Sequence, residues 1–279
     1  MASGEALYAL EDLLYLMSRL REPVYGCPWD LAQSYQSIAP STLEEAYEVV
    51  DAIEHGDRQQ LREELGDWLF QVVFYSQLGR EEQAFEFSDI VHDITSKLLR
   101  RHPHVFPEGT LESRIDPNNR PEPETANAGI KASWEKIKQH ERQVKGHTSI
   151  MDDIPTAFPA AVRAVKLQKR AASIGFDWKD DAGVYDKLQE EISELQEAQH
   201  SQSKDAIEDE LGDLLFTVIN LARHLKVDPE TALRKSNSKF EQRFRTMELQ
   251  CTDFSGRTEQ ELEQYWQQAK ATLAAKTTQ

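Results

Sequence analysis

Ser41-Thr-Leu-Glu44-Glu45-Ala-Tyr-Glu48-Val-Val-Asp51, followed after a polar break by Glu63-Glu64-Leu-Gly66-Asp67-Trp-Leu-Phe70, is the stretch on which the fold turns. It occurs twice. Glu190-Glu191-Ile-Ser-Glu194 and Glu210-Leu-Gly212-Asp213-Leu-Leu-Phe216 repeat its acids, and 190 against 44, 191 against 45, 194 against 48, 210 against 64 and 213 against 67 each differ by 146. Residues three and four apart share a helix face, so Glu45 with Glu48, and Glu64 with Asp67, each line one side of a helix. A turn at His55-Gly56-Asp57 lets the two helices pack antiparallel and gathers four carboxylates. Glu191, Glu194, Glu210 and Asp213 form the second such set.

Clustered carboxylates repel one another, at roughly 0.2–0.5 kcal/mol per pair on an isolated helix and more once the charges leave water. A cation relieves that repulsion. Oxygen donors without accompanying His or Cys suit a hard divalent ion that keeps several waters, which points to Mg²⁺, with Mn²⁺ as a substitute, rather than Zn²⁺. Phosphate chemistry is the usual reason to hold such an ion. Leu61, Leu65, Trp68 and Val72 in the first copy, and Ile207, Leu211, Leu214 and Val218 in the second, mark an apolar face predicted to set the acids against a core. Gly66 and Gly212, inside otherwise good helices, each cost about 1 kcal/mol relative to alanine and predict either close approach of a neighbouring helix or a local kink.

The doubled Glu-Glu-x-x-Glu … Glu-x-x-Asp pattern resembles the MazG nucleoside triphosphate pyrophosphohydrolases of the all-α NTP pyrophosphatase superfamily. Gly26-Cys27-Pro28-Trp29-Asp30 before the first copy, Arg100-Arg-His-Pro-His-Val-Phe106 after it, and the tandem arrangement extend the likeness over nearly the whole chain. The expected fold is all-α, a tandem repeat of two MazG-like helical bundle domains. Their expected extents are 1–110 and 150–279, joined by a linker with one helix over 111–149. The resemblance implies hydrolysis at the α-phosphorus and places Lys187, Lys239, Arg243 and Trp266 at positions contacting nucleotide. Family members generally associate through their helices, so a homodimer is expected.

Around this framework the chain is ordinary in composition but acidic: 32 Lys plus Arg stand against 49 Asp plus Glu, a net charge of −17. That disfavours direct binding to nucleic acid or to an anionic membrane and favours a diffusible small-molecule partner. Cys27 and Cys251 make neither a disulfide framework nor a metal-spaced set, which fits a reducing cytoplasm. Residues 1–21 lack the marks of a signal peptide and carry Leu7, Leu10, Leu13, Leu14 and Met17 at amphipathic helical spacing. No apolar run approaches the ~18–20 residues of a membrane span.

Pro23, Gly26 and Pro28 end that first helix, and Pro40-Ser41 is predicted to start the next. Trp29 reads as an aromatic anchoring its loop on the core or as a residue shaping the site. Ser41 and Glu44 have capping-box spacing, so Glu44 serves either that cap or chemistry. Lys187 replaces Ser41 in the second copy, which frees Glu190 from the same alternative and makes it the candidate to orient or deprotonate water. A third helix begins near Ser88 in one half and at Asp228-Pro229 in the other. Residues 103–129 read as a linker, followed by a helix from Ile130 to Lys145. Lys166, Lys169 and Arg170, on the helix that opens the second repeat, read as a solvated face or as phosphate contacts.

The first copy departs from the second at Ser41 for Lys187, at Val105 for Arg243, and in lacking a counterpart of Trp266. Turnover is therefore expected mainly in the C-terminal half. There is no Gly-x-x-x-x-Gly-Lys-Ser/Thr loop and no Gly-x-Gly-x-x-Gly, so phosphates must be held by metal and side chains. A di-iron bundle needs two Glu-x-x-His pairs, whereas Glu197-Ala-Gln-His200 alone has that spacing. The alternatives are a narrow pyrophosphatase for dUTP, dCTP or phosphoribosyl-ATP, or a non-catalytic metal-stabilised interaction module.

Overall fold

The computed structural model describes residues 7–116, 123–251 and 253–277. Among these residues it holds eleven helices and no strand. Contacts divide the chain into units 1–139 and 140–279, each taken by itself below. Residues 117–122, within the expected linker, lie outside the described residues.

In the first unit α1 (Leu10–Leu20) is the amphipathic opening helix and buries Met17. A single proline-led turn, α2 (Pro28–Leu31), follows. Trp29 on it is 64% exposed and anchors nothing to the core. That work falls to Arg21, which donates to both Glu81 carboxylate oxygens at 2.8 and 2.7 Å, to the Asp30 carbonyl, and to the Gln33 carbonyl at 3.3 Å. Its guanidinium also lies 5.4 Å from the Phe74 ring centre.

α3 (Tyr35–His55) starts earlier than Pro40-Ser41 predicts. Ser34 and Ser37 exchange side-chain and backbone hydrogen bonds at 3.3 and 2.8 Å, a start signal strong enough to carry Pro40 inside the helix. Ser41 therefore lies within the helix and cannot cap it, which removes the capping alternative for Glu44. Gly56, at φ 72°, ends α3 in the left-handed region where a side chain would be strained, and Asp57 caps α4 (Arg58–Glu81) through the Gln59 and Gln60 amides. The antiparallel hairpin follows as expected.

The core of this unit gathers Met17, Ile38, Val73, Phe74 and Leu78, backed by Leu13, Leu14, Tyr35 and Phe70. It lies toward the C-terminal end of α4, away from the acids. Leu65 and Trp68, beside the carboxylates, are exposed, as are Leu211 and Val218 in the second unit. The expectation that the acids border a core within the chain is thus corrected. Among the described residues, nothing outside its own stretch of helix comes within 4 Å of a Cβ built on Gly66 or Gly212. The glycine that close packing does require is Gly79, where a Cβ would meet the Phe85 ring at 2.7 Å as the chain turns into α5 (Phe87–Arg101).

α6 (Pro123–Val144) begins before the predicted Ile130, and Trp134 on it donates to the Arg101 carbonyl at 2.6 Å. The second unit continues with α7 (Ala160–Ala172), α8 (Asp181–Ser201), α9 (Lys204–His224), α10 (Pro229–Gln250) and α11 (Glu259–Thr277). Asp228 caps α10 through the Thr231 amide at 2.8 Å, with Pro229 in its first turn as predicted. Arg170 donates to the Ile150 carbonyl at 2.9 Å, and Lys166, exposed, stands over the Phe158 ring at 5.9 Å. Asp177 receives Arg223 and His224 and fixes the loop before α8 to the end of α9. Trp178 packs so closely on Gly183 that a Cβ there would meet it at 2.4 Å.

Arg21→Met is expected to cost about 2–4 kcal/mol, because it strands carbonyls and a carboxylate that a buried guanidinium satisfies, with part of the pair screened where Glu81 meets water. Arg21 holds the Glu81 carboxyl below the ordinary value of 4.5. Its contribution is therefore fully present above that value and lost as pH falls through the lowered folded one. Urea unfolding from neutral to acid pH checks both points: the parent loses this increment on acidification, and Arg21→Met has none to lose.

Candidate active site

Each hairpin builds one acidic group. In the second unit Glu191 and Glu194 of α8 meet Glu210 of α9, with one carboxylate oxygen from each lying within 4.8 Å of the others. In the first, Glu45 and Glu48 of α3 meet Glu64 of α4 in the same way. Asp67 and Asp213, the fourth acids of the predicted sets, lie three residues further along α4 and α9 at exposed positions, outside these groups of three. Asp67 is close enough to repel Glu45, whose carboxyl is pushed up by partial desolvation and then by Asp67, Glu48 and Glu64.

The two groups differ in their counter-charge. Lys187 Nζ donates to Glu190 Oε1 at 2.7 Å and lies 3.1 Å from Glu191 Oε1 and 4.0 Å from Glu194 Oε2. Hydrogen bonds to Glu190 first, and Glu191 second, hold its ammonium above the usual lysine range. Glu194 is pushed up by partial desolvation, opposed by Lys187 and reinforced by Glu190, Glu191 and Glu210. Ser41 takes the lysine's place in the first unit, where the amide of Gln60, 3.4 Å from Glu64, is a neutral donor.

Glu191 decides what this arrangement can hold. It is 4% exposed, and its Oε2 has no hydrogen-bond partner among the described residues. A buried carboxylate oxygen left unpaired costs about 1–3 kcal/mol or more, and a divalent ion among Glu191, Glu194 and Glu210 satisfies it. An all-oxygen donor set fits Mg²⁺ or Mn²⁺.

Of the four residues that the resemblance assigns to nucleotide, Lys187 is joined directly to the acids. Arg243 and Trp266 are joined instead to each other, the guanidinium 5.7 Å from the ring centre, and Lys239 is exposed on the same helix as Arg243. Trp266 lies in an aromatic group with Phe240 at 5.3 Å, while Phe244 contacts Phe240 and Phe254. These rings border a cavity of about 380 Å³ that also meets Glu259 and Glu263. The aromatic group is absent from the sequence reading, although Phe240 and Phe244 stand one turn apart and were its available sign.

The MazG nucleotide pyrophosphohydrolase domain matches residues 33–106 and 182–247, spanning both acidic hairpins. The chain belongs to the MazG family. A nucleoside triphosphate pyrophosphohydrolase of Escherichia coli K12 is 47% identical over 269 residues, covering 94% of this chain and 97% of the relative. A nucleoside triphosphate pyrophosphohydrolase/pyrophosphatase of Thermotoga maritima is 40% identical over 271 residues, covering 95% and 97%. Each MazG match thus takes in one of the two helical hairpins derived above, together with the helix that follows it. No described helix of this MazG protein is long and apolar enough to cross a membrane.

Proposed function

We propose that this MazG protein is a nucleoside triphosphate pyrophosphohydrolase that releases pyrophosphate and a nucleoside monophosphate, with broad tolerance of the base. The observation that carries the reading is the buried, unpaired Glu191 oxygen within an acid group that a lysine already borders. The curated names of the relatives from E. coli and T. maritima support the activity. Domains at 1–110 and 150–279, with a linker over 111–149, remain our division of the chain.

Glu191, Glu194, Glu210 and Asp213 are the residues that would hold Mg²⁺ in the C-terminal domain, and Glu45, Glu48, Glu64 and Asp67 those of the N-terminal one. When bound there, Mg²⁺ would supply positive charge against that developing on the phosphate. Glu190 orients water and accepts its proton, a task suited to a carboxylate at the solvent edge of the cluster. Lys187, Lys239 and Arg243 neutralise the triphosphate, and Trp266 contacts the nucleoside. The C-terminal half carries most turnover in this reading, because Ser41 and Val105 leave the first half without the corresponding cations.

A homodimer is supported by the open apolar faces beside the acids. Leu65 and Trp68 of α4, and Leu211, Leu215 and Val218 of α9, are exposed in the single chain, and the small residues Gly66 and Gly212 between them leave room for another helix.

The test is Mg²⁺-dependent pyrophosphate release from a panel of ribo- and deoxyribonucleoside triphosphates by the parent, Glu48→Gln and Glu194→Gln. We expect Glu194→Gln to abolish release and Glu48→Gln to retain most of it. Loss confined to Glu48→Gln reverses the assignment of the halves. Binding of Mg²⁺ without release from any triphosphate removes the enzymatic reading.

A further inference from the structure

We propose that Lys187 competes with divalent cations for the carboxylates of the second acidic group, making the half with the richer set of nucleotide contacts the weaker of the two metal sites. The inference rests on the reading that both groups take a divalent ion, and it concerns how this chain tunes them differently.

The geometry sets one ammonium among the carboxylates an ion would use. Lys187 Nζ is 2.7 Å from Glu190, 3.1 Å from Glu191 and 4.0 Å from Glu194, so it engages two of the three acids in the candidate metal set and the adjoining Glu190. The position follows from sequence: a lysine three and four residues before a Glu-Glu pair lies over both on one helix face. Glu191 presents Oε1 to the lysine while Oε2 lies buried and unpaired, so a second cation reaching that carboxylate meets the ammonium at close range. Like charges a few ångströms apart in a partly desolvated cluster disfavour each other.

The first acidic group supplies an internal control. It has the same three-acid geometry on the same type of hairpin, but Ser41 stands where Lys187 does and brings no charge. Its carboxylates, with one oxygen from each within 4.8 Å of the others, are left to repel one another. A divalent ion relieves that repulsion without displacing a resident cation. Two hairpins with matching acids are thus set to different metal affinities by a single residue type.

The experiment measures Mn²⁺ binding to the full chain by electron paramagnetic resonance, without nucleotide, for the parent, Glu48→Gln, Glu194→Gln, Lys187→Met, Lys187→Gln and Ser41→Lys. The parent is expected to show two affinity classes, the tighter lost in Glu48→Gln and the weaker in Glu194→Gln. Lys187→Met and Lys187→Gln should each tighten the weaker class by about tenfold, and Ser41→Lys should weaken the tighter class by a similar factor. Circular dichroism with parent-like helix content selects the folded variants, and the three substitutions at two exposed or half-exposed positions provide independent routes to the comparison. If Glu194→Gln changes neither class, the metal reading of the second group fails. If Glu194→Gln removes a class but neither Lys187 variant tightens it, the metal reading stands and the competition proposal is overturned.

Discussion

Glu191→Gln is expected to lower Mg²⁺-dependent pyrophosphate release by about two to three orders of magnitude, the scale on which removing one charge-stabilising group acts in a water-poor site. Glutamine keeps the length and shape of the side chain, so the packing of α8 against α9 is preserved while one negative charge disappears. The position is 4% exposed, which gives that charge little water to screen it and makes it the member of the set hardest to replace. The substitution also offers Lys187 a weaker partner than the carboxylate it now faces at 3.1 Å. Stability should fall little, because the lost charge belongs to a mutually repelling group and Glu190 still binds the lysine at 2.7 Å. The measurements are initial rates of pyrophosphate release at saturating Mg²⁺ and a thermal melt followed by circular dichroism. A parent-like rate would remove Glu191 from the proposed metal set; a collapse of helix content would mean that its role is structural.

The helices and the acidic groups were legible because their signals are local. Gly56 and Asp57 end one helix and cap the next within a few residues, Asp228 and Pro229 do the same for α10, and acids at three- and four-residue spacing must share a face. Pro40 points to a later start for α3 than the structure has, because the paired serines before it cap the helix and one missing amide early in a long helix is survivable when the cap is good. Periodicity reveals the apolar face beside the acids but does not say what covers it; Trp68 and Leu211 remain exposed in this chain. Gly66, Gly212 and Gly79 look alike in sequence, and only the path of Phe85 distinguishes the last. The sequence shows the charge of Lys187, while its ion pairs with Glu190 and Glu191 depend on the rotamers the folded helix allows. The pairing of Arg243 with Trp266 depends on α10 meeting α11, a contact between separate helices that no local spacing encodes.

Phe74→Ala is expected to destabilise the first unit by about 3–5 kcal/mol, the range found when a large buried ring is cut back and the surrounding side chains cannot close the space. Phe74 is 1% exposed and meets Phe70 edge to face at 5.9 Å. Met17 from α1, Ile38 from α3 and Val73 and Leu78 from α4 share its cluster, so its ring sits where three helices meet. Arg21 lies against the same ring while reaching Glu81 and the carbonyls of Asp30 and Gln33, and loss of the ring removes one wall that keeps this guanidinium in place. The cavity and the loosened polar network therefore act in the same direction. Urea unfolding should show a lower midpoint for the first unit with little change in the denaturant slope, as expected when stability changes and the unfolded surface does not. A loss below about 1 kcal/mol would show that the neighbours refill the space and that this cluster does not govern the unit's stability. Trp68→Ala provides the contrast: its ring is 44% exposed in the chain, so a loss as large as that of Phe74→Ala would reveal a second copy of the protein covering the face in solution.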